Sequence, residues 1–598
     1  MAVKVRYADG SVGEIADPDE ALEVYRHSTS HLMAAAVSDL FPGTHLGIGP
    51  AISDGFYYDF ERGQSFVEDD LRAIEQRMRE LVAADLSYEP EILPKQEAIE
   101  SFSKRGEHLK VELIQEKAGE TLSCYRLGNL LDFCTGPHVL STGQIRPDSF
   151  HVHSLAGSYW KGDEHNQPLQ RIYGTAFLSS GQLRAFLEQL EQAKRRDHRK
   201  LGRELDLFSI SEDAGPGLIF WHPKGTRIRL VIEDFLRQEL FRRGYEFVTT
   251  PHVARHTLWR TSGHYEYYRE NMYVFNIEDE EFVIKPMNCP GHIQVYQSRM
   301  RSYRDLPIRF AEFGTVYRYE KSGVLHGMLR VRGFTQDDAH LFCTPEQVYG
   351  EIVALLDLVL FVMKSFGFEK YKVELSVRDL EKKEKYAGTE ENWRTAEKAL
   401  VDAMRSRGMT WDRMEGEAVF YGPKIDVKLI DAIGRPWQLS TVQFDFTLPE
   451  RFGLSYVAAD GQHHQPVMLH RALLGSIERF LGVLIEHYAG AFPIWLAPVQ
   501  VVVIPISERH HPHARQLQAK LADEGLRVEL DDRNEKMGFK IREAQIHKVP
   551  FMLVVGDKEV QSGMVSVRNR FEGDKGTQSL DGFLKEIKGY IQDRAARP

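Results

Sequence analysis

Two short sequences decide the fold: FGTVYRYE at Phe313–Glu320 and LRVRGF at Leu329–Phe334. The first predicts a strand, the intervening Lys321–Met328 a loop, and the second a returning strand. Since side chains alternate along a strand, Arg318 and Glu320 are expected on one face of this antiparallel hairpin. An arginine there can bind a phosphate through its two-pronged guanidinium, while the neighbouring carboxylate accepts a hydrogen bond from an amine.

A second arginine, Arg479, lies in GSIERF at Gly475–Phe480, at the start of an apolar helical pattern. No Walker-type lysine loop accompanies the two arginines. The pair therefore indicates a nucleotide that is bound over an antiparallel sheet.

Three widely separated residues are candidate metal ligands. Cys289 lies in KPMNCPGH, His340 in DDAH and His470 in MLHR. No CxxC or HExxH signature is present, so a metal site would have to be assembled from distant positions. Each residue taken singly is more often structural than a ligand, and spacing alone does not decide the matter.

A second group of cysteine and histidine residues lies near the N-terminus. The sequence HSTSH places His27 and His31 four residues apart, on one face of a helix, and DFCTGPH supplies Cys134 and His138 about a hundred residues later. These four side chains are compatible with a four-ligand zinc site or with a hydrolytic site. The residues alone leave both interpretations open.

The length of 598 residues predicts about four domains. Residues 181–205 are predicted to form a single helix, with six cations from Lys194 to Arg203; it is either a solvated connection or a linker that also contacts phosphates. The last hundred residues follow the order β-α-β-α-β-β-α and predict a separate α/β domain with a largely parallel sheet. The predicted divisions are 1–24, 25–180, 181–205, 206–497 and 498–598.

Composition narrows the class of protein. The net charge of -11 argues against a protein coated with cations for indiscriminate nucleic-acid binding, although residues 498–598 carry 17 Lys and Arg against 15 Asp and Glu. Four cysteines cannot form a disulfide framework. The N-terminus has no apolar signal segment, and the most apolar stretch, 491–506, is broken by prolines and is too short to span a bilayer. We therefore expect a cytoplasmic protein with no membrane segment.

The hairpin with Arg318, the helix with Arg479 and the helix and strand that lead to Pro251 resemble the three motifs of class II aminoacyl-tRNA synthetases. The sequences MNCPGH, RGFTQDDAH, YGPK, TVQFDF and VMLHRA make the chain similar to the threonyl-tRNA synthetases in particular. The resemblance implies a multidomain α+β and α/β protein. Its expected parts are a class II antiparallel-sheet catalytic core, an α+β editing domain at 25–180 and a C-terminal α/β anticodon-binding domain.

The resemblance also implies an activity and its site residues. The expected enzyme activates L-threonine with ATP, transfers it to tRNA(Thr) and hydrolyses mischarged seryl-tRNA(Thr). Zn²⁺ is expected on Cys289, His340 and His470, and Mg²⁺ with ATP. Threonine is expected to contact Gln336, Asp338, Tyr421 and Gln443, and the expected catalytic residues around ATP are Arg318, Glu320, Arg330, Lys424 and Arg479.

Further implications concern the other domains. The editing residues are expected to be His27, His31, Lys110, Asp132, Cys134 and His138, with Cys134 either positioning water or acting as the nucleophile. Asn534, Arg542, Glu559 and Arg568 are expected to read the anticodon. The helix Arg227–Arg243 and the strand after it match the motif that forms a homodimer in this class.

Within residues 1–24, Lys4–Ile15 resembles the opening hairpin of the ubiquitin-like domain that usually begins bacterial members, and the rest of that domain is missing. This stub is not expected to carry chemistry, and whether it folds alone is left open.

Two other functions compete with this prediction. A prolyl-type synthetase would share the three motifs but would not explain Cys289, His340 and His470 together. A non-catalytic RNA-binding paralogue would usually lack the phosphate-binding arginines, and both Arg318 and Arg479 are present.

Overall fold

The computed structural model describes residues 2–163 and 165–595; the outermost residues of the first and last predicted domains, 1 and 596–598, lie outside this description. The chain forms two compact units, Met1–Glu191 and Gln192–Pro598. Within the described ranges, no helix combines the length and the apolar character that crossing a bilayer demands.

The first unit combines helices with three small sheets. In chain order its elements are β1 Val3–Arg6, β2 Val12–Ile15, α1 Pro18–Leu40, β3 His45–Leu46, β4 Ala51–Ile52, β5 Gly55–Glu61, α2 Glu68–Ala83, β6 Glu89–Pro94, α3 Lys95–Lys104, α4 His108–Lys117, β7 Thr121–Leu127, β8 Leu130–Phe133, β9 His138–Val139, β10 Phe150–Tyr159 and β11 Pro168–Ala176. The sheets have the orders β2-β1-β9, β6-β7-β8 and β10-β11-β5-β3, with β4 paired to β5. Apolar residues of α1, α2 and the last sheet form its main core.

The start of the first unit differs from the prediction. The hairpin formed by β1 and β2 is present as expected, but α1 begins at Pro18, within the predicted segment 1–24. The Asp17 side chain accepts hydrogen bonds from the amides of Asp19 and Glu20, and the proline at the first helical position has no amide to satisfy. The predicted boundary between residues 24 and 25 therefore falls inside a helix.

The prediction of a single helix over 181–205 is wrong. The segment forms α5, Ser180–Arg196, and α6, His198–Glu204, because the Asp197 side chain accepts from the amide of Arg199 and caps a new helix. The Arg196 guanidinium donates to the carbonyl oxygens of Glu486 and His487 at 3.3 and 2.9 Å. At least this cation is engaged within the second unit.

Most of the second unit is organised around one large sheet. Its elements are β12 Phe208–Ile210, β13 Ile219–Trp221, α7 Pro223–Arg242, β14 Glu246–Phe247, β15 Val253–Arg255, α8 His256–Ser262, α9 His264–Tyr268, β16 Tyr273–Ile277, β17 Glu280–Ile284, α10 Cys289–Gln297, β18 Ile308–Tyr317, β19 Gly333–Cys343, α11 Val348–Ser365, β20 Tyr371–Val377, α12 Glu390–Ser406, β21 Asp412–Glu415, β22 Lys424–Ile430, β23 Pro436–Asp445, α13 Thr447–Arg451, β24 Tyr456–Val457, β25 His463–His464, β26 Val467–Ala472 and α14 Ile477–Tyr488. The sheet has the order β14-β18-β19-β26-β23-β22-β20-β21 and is antiparallel except at its two edge pairs. The apolar faces of α7, α11 and α14 contribute to its core.

The predicted hairpin is present as β18 and β19, but β18 ends at Tyr317 and β19 begins only at Gly333, so Leu329–Arg332 belongs to the loop instead of the predicted returning strand. The amide of Arg318 still donates to the carbonyl of Arg332 at 2.8 Å, and the amide of Glu320 then turns back to the carbonyl of Arg318. Arg318 and Glu320 therefore lie in the loop beyond the strand rather than on one strand face, which corrects the prediction.

The C-terminal part contains β27 Val501–Pro505, α15 His511–Asp523, β28 Val528–Leu530, α16 Met537–Ile546, β29 Phe551–Val555, α17 Asp557–Ser562, β30 Met564–Asn569, β31 Gly573–Ser579 and α18 Leu580–Gln592. Its sheet, β28-β27-β29-β30-β31, has two parallel and two antiparallel pairings, so it is less parallel than predicted. The sequence pattern missed β31 because GDKGTQS is polar and mostly exposed.

Candidate functional site

One cavity of about 410 Å³ in the second unit is lined by every catalytic-domain residue that the sequence singled out. These residues are Cys289, Arg318, Glu320, Arg330, Gln336, Asp338, His340, Tyr421, Lys424, Gln443, His470 and Arg479. They come from four strands, two helices, the loop between β18 and β19 and the turn before β22. The structure thus brings together residues up to 190 positions apart in the chain.

The register of the sheet explains this convergence. His340 on β19 lies directly opposite His470 on β26, and His470 lies opposite Gln443 on β23. Gln443 in turn pairs with Lys424 on β22. Because side chains alternate, Gln336 and Asp338 share a face of β19 with His340.

Three arginines make the outer part of the cavity cationic. Nε of Arg318 donates to the carbonyl oxygen of Pro286 at 3.1 Å, and Nε of Arg479 donates to that of Leu329 at 3.0 Å. Burial lowers the pKa of Arg479, and Arg318 and Arg330 lower it further. Bringing these like charges together is unfavourable without an anion, so the arrangement suits a polyphosphate.

Carboxylates hold two of the cations beside the cavity. Arg330 pairs with Glu320 at 3.1 Å, and Nζ of Lys424 lies 2.5 Å from Asp426. Asp426 also accepts from the hydroxyl of Thr441 at 2.8 Å. Both cations are therefore oriented before any ligand is bound.

The inner part of the cavity carries polar groups suited to a small polar ligand. Asp338 accepts from the Asn288 amide at 3.1 Å, and burial raises its pKa. The Gln443 amide nitrogen is buried without a hydrogen-bond partner among the described residues. A buried donor without a partner costs free energy, so this atom indicates a ligand position.

Cys289, His340 and His470 form a buried cluster whose candidate ligand atoms lie within 4.8 Å of one another. Nε2 of His470 lies 2.7 Å from Asp445, which leaves Nδ1 for an ion. One sulfur and two nitrogens are donors that Zn²⁺ favours, and three protein ligands leave a coordination position open. Burial raises the pKa of the Cys289 thiol, so an ion must displace its proton on binding.

A series of polar contacts orients the imidazole of His340. Its Nδ1 lies 2.9 Å from Nδ1 of His292, and Nε2 of His292 lies 3.2 Å from Glu312. If Nε2 of His292 donates to this carboxylate, its Nδ1 accepts from His340. Nε2 of His340 is then free of a proton, as a metal ligand must be.

Glu312 is held ionised by its surroundings. Lys285 lies 3.3 Å away, and the Thr250 amide donates to the carboxylate at 2.8 Å. Burial by itself would raise the pKa of Glu312, but the hydrogen bond from His292, the Thr250 amide and the charge of Lys285 outweigh it and lower the pKa to about 2.

Sequence reasoning missed several of these supporting residues. His292 lies one helical turn after Cys289, and Asp445 lies two positions after Gln443 on the same strand face. Those spacings could have identified both. Glu312 is separated from His292 in sequence by 20 residues, and only the packing of α10 on β18 brings the two side chains together.

The second cluster lies in the first unit. Cys134 Sγ is 3.4 Å from Nε2 of His27 and 3.3 Å from Nε2 of His138. Nδ1 of His31 lies 3.3 Å from Asp132. All four cysteine and histidine side chains have candidate ligand atoms within 4.8 Å of one another, which is also compatible with an ion.

A buried charge pair lies next to His31. Nζ of Lys110 is 2.5 Å from Asp132 and 3.1 Å from the hydroxyl of Tyr58, which itself donates to Asp132. Tyr58, Ser28 and Tyr88 were missed by the sequence analysis. The Ser28 hydroxyl lies 3.2 Å from Nδ1 of His138, and the Tyr88 ring stacks on the His138 imidazole.

Burial controls protonation in this cluster. It lowers the pKa of His27, His31 and His138, so these imidazoles are neutral near pH 7. It also raises the pKa of Cys134 to about 12, which leaves a protonated thiol. A protonated thiol is a weak nucleophile, so the arrangement favours a positioning role for Cys134.

The four predicted anticodon residues lie on different elements of the C-terminal part. Asn534 follows β28, Arg542 is on α16, Glu559 is on α17 and Arg568 is on β30. Asn534 and Arg542 are exposed, whereas Glu559 accepts from the Gly556 amide and Arg568 pairs with Asp574. The last two therefore have internal partners as well.

Comparisons with known proteins cover all these regions. Three protein-family models match the chain. The model "tRNA synthetase class II core domain (G, H, P, S and T)" matches residues 273–488, and "Anticodon binding domain" matches residues 500–590. The model "Threonyl and Alanyl tRNA synthetase second additional domain" matches residues 122–173. The chain is 55% identical over 582 residues to a threonine–tRNA ligase of Acidobacterium capsulatum, covering 97% of this chain and 85% of the relative. A threonine–tRNA ligase of Pelobacter propionicus is 54% identical over 551 residues, which covers 92% of this chain and 86% of that relative.

A solved structure is also similar. The crystal structure of the RNA binding domain of threonyl-tRNA synthetase from Cryptosporidium parvum Iowa II matches with a TM-score of 0.64 and 41% identity. It covers 66% of this chain and 98% of that chain.

Replacing Glu312 by Gln tests the buried support of His340. Because the pKa of Glu312 is depressed when folded, its contribution to stability is present above its usual value of 4.5 and is lost as the pH falls toward 2. We expect the variant to lose about 3 kcal/mol of unfolding free energy at pH 7, measured by urea denaturation of the full chain. Asp357→Asn, which removes an exposed pair with Arg407, should cost less than about 1 kcal/mol. Equal losses in both variants would contradict the assignment.

Proposed function

The chain belongs to the threonine–tRNA ligases, ATP-dependent aminoacyl-tRNA synthetases with a class II core, and we propose that the cavity under β19, β22, β23 and β26 carries out their activation step. The activity, and the substrates threonine, ATP and tRNA, follow from membership in the family. The assignment of individual residues is our proposal. It is supported above all by the convergence of twelve residues from distant sequence motifs on one cavity. A prolyl-type or non-catalytic alternative has no comparable support.

The cationic end of the cavity is proposed to hold ATP. Arg318 is assigned to the α-phosphate, Arg479 to the γ-phosphate and Glu320 to the adenine. A threonine carboxylate oxygen attacks the α-phosphorus, a new P–O bond forms, and the bond to the bridging oxygen breaks so that pyrophosphate leaves with the electron pair. Arg330 and Lys424 stabilise the negative charge that accumulates, while Mg²⁺, when bound, neutralises phosphate charge.

The polar inner end is proposed to hold threonine through Gln336, Asp338, Tyr421 and Gln443. A Zn²⁺ ion on Cys289, His340 and His470 would supply an electrophilic centre for the amine and hydroxyl of the substrate. An apolar pocket rejects an isosteric competitor only about 100-fold, and valine has the shape of threonine. A site that requires the hydroxyl excludes valine much more strongly.

The variant Cys289→Ser tests the metal assignment. We expect zinc in the purified full chain to fall from about one per chain to well below that, because the thiolate ligand is lost. Threonine-dependent pyrophosphate exchange should fall at least about 100-fold. Cys343→Ser, a buried cysteine on β19 outside the cavity, should keep both. Full exchange by a zinc-free Cys289→Ser enzyme would refute the role of the metal.

The first unit is proposed to hydrolyse seryl-tRNA. Serine has the same amine and hydroxyl as threonine, and the missing methyl gives discrimination of only about 10- to 200-fold. His27, His31, Cys134 and His138 would position water against the ester, with Lys110 and Asp132 orienting His31. The cluster adjoins a cavity of about 610 Å³ lined in part by His27, whereas a structural zinc site would need no such opening.

Editing is tested with His31→Ala. Removing a group that positions water and transfers a proton typically costs about 10²- to 10⁴-fold, so deacylation of seryl-tRNA(Thr) by the full chain should fall within that range. The exposed His165→Ala should deacylate at the normal rate. One zinc per chain is expected, not two; normal deacylation by His31→Ala, or a second stoichiometric zinc lost with it, would overturn this assignment.

We also propose that two copies associate through α7 and that the C-terminal part reads the anticodon. Leu230 and Phe241 on α7 are 50% and 56% exposed in the single chain, which supports a partner on this helix. Asn534, Arg542, Glu559 and Arg568 are the proposed anticodon contacts.

Sedimentation velocity at micromolar concentration should give the mass of two chains. The double variant Leu230→Asp, Phe241→Asp should sediment as one chain, since two buried carboxylates would oppose the apolar contact. Leu380→Asp, which changes an exposed leucine elsewhere, serves as control. An unchanged sedimentation coefficient in the double variant would exclude α7 as the contact.

A further inference from the structure

The N-terminal hairpin of β1 and β2 is built into the body that carries the proposed editing site. Strand β1 pairs with β2 on one side and with β9 on the other. Val5 lies opposite Val139, and Arg6 lies opposite His138, which is one of the four clustered side chains. Val5 is completely buried by this packing. The backbone of His138 is therefore held by a strand that the sequence had assigned to a stub without chemistry.

Arg6 contacts the two aromatic residues that enclose His138. Its guanidinium donates to the hydroxyl of Ser87 at 3.1 Å and to the carbonyl oxygen of Tyr88 at 3.2 Å. Its own carbonyl oxygen accepts from the hydroxyl of Tyr125 at 3.1 Å. One residue of the hairpin thus ties down Tyr88 and Tyr125 together.

These two rings fix the plane of the His138 imidazole. Tyr88 stacks almost parallel to it, with ring centres 5.0 Å apart and planes at 9°, and Tyr125 meets it edge-on at 4.5 Å. Both tyrosines are 1% exposed. Gly136 completes the enclosure, because a Cβ there would lie 2.2 Å from the Tyr125 hydroxyl. The imidazole can keep its orientation only while both rings keep theirs.

The orientation of His138 sets the geometry of the whole cluster. Its Nε2 lies 3.3 Å from Cys134 Sγ, its Nδ1 lies 3.2 Å from the Ser28 hydroxyl, and its ring centre lies 4.5 and 4.6 Å from those of His27 and His31. A rotation of this ring would change each of these distances.

The hairpin also forms a wall of the cavity beside the cluster. Tyr7, Glu14 and Ile15 line it from the hairpin, while His27 and Gly136 line it from the site. A Cβ on Gly13 would lie 2.9 Å from the Tyr7 ring, so this glycine lets the ring lie across the hairpin.

We propose that the N-terminal hairpin is a functional part of the hydrolytic site. The Arg6 side chain is a positioning group that helps to fix His138 by holding the main chain of Tyr88, while the main-chain carbonyl of Arg6 holds the Tyr125 hydroxyl. Tyr7 forms one wall of the mouth through which the aminoacyl end of the tRNA enters. The proposal rests on the proposed editing function of this cluster.

The test uses the full chain and seryl-tRNA(Thr) as the probe. Arg6→Ala removes the guanidinium contacts with Ser87 and Tyr88 and keeps the main-chain contact with Tyr125. In this variant, kcat for deacylation should fall about 10- to 100-fold while KM stays within about twofold, because a displaced catalytic group slows the step without weakening binding. Arg6→Lys keeps a cationic donor toward Tyr88 and should recover part of the rate. Lys4→Ala, two residues away on the same strand, is the matched control and should behave as the unaltered enzyme.

The variant Tyr7→Ala tests the role of Tyr7 as a wall of the cavity separately from the positioning role of Arg6. It should raise KM several-fold with kcat nearly unchanged, since Tyr7 touches the cavity but not His138. Threonine-dependent pyrophosphate exchange belongs to the second unit and should be unchanged in every hairpin variant.

The outcomes distinguish this inference from the function on which it rests. If Arg6→Ala has normal kcat and KM while His31→Ala is inactive, the hairpin has no part in hydrolysis and the editing assignment stands. If His31→Ala hydrolyses normally, the editing assignment itself fails. A loss in Arg6→Ala that is matched by loss of exchange and by a lower unfolding temperature, with no recovery in Arg6→Lys, would reduce Arg6 to a general structural residue and overturn the inference.

Discussion

The antiparallel register of β19, β26 and β23 is the constraint on which the proposed catalytic cavity depends. It sets His340 opposite His470, and His470 opposite Gln443. A slip of one residue in either pairing would turn these side chains to the opposite face, where the sheet is covered by its helices. The apolar residues of α11 and α14 that pack on that face therefore do more than stabilise the sheet. By fixing which face is buried, they also determine which face presents the polar residues.

The two cysteine–histidine clusters share one arrangement, in which a buried lysine and a buried carboxylate support a histidine. A histidine in a low-dielectric interior needs a defined tautomer, and a buried carboxylate supplies it; that carboxylate is in turn stabilised by a buried lysine. In the second unit the order is Lys285, Glu312, His292 and then His340. In the first unit Lys110 and Asp132 lie behind His31. Neither lysine would be tolerated at this depth without its carboxylate.

Much of this organisation could be predicted from sequence, and the failures have physical causes. The arginines Arg318 and Arg479 were predicted from local motifs, and the resemblance to the threonyl-tRNA synthetases identified the other residues around the cavity. The helix break at Asp197 and the helix start at Pro18 depend on side-chain caps that periodicity does not reveal, and the strand end at Tyr317 lies inside a continuous strand-like pattern. The contacts of Tyr88 and Tyr125 with the His138 ring could not be predicted from the sequence. The contacts of Arg6 with both tyrosines could not be predicted either, because they form only when β1 pairs with β9. The polar strand β31 gave no apolar signal at all.

The break at Asp197 brings one buried histidine into contact with two segments that line the cavity of the second unit. Directly after it, the fully buried His198 lies 2.6 Å from Glu486 near the end of α14, and its other ring nitrogen accepts from the amide of Met328 in the loop that carries Arg330. Arg479 lies in the first turn of the same helix, seven residues from Glu486 and roughly 10 Å along the axis. A substitution of His198 would therefore disturb one end of α14 and the loop that carries Arg330 together. Within the second unit, one imidazole thus links the two segments that present Arg330 and Arg479 to the cavity.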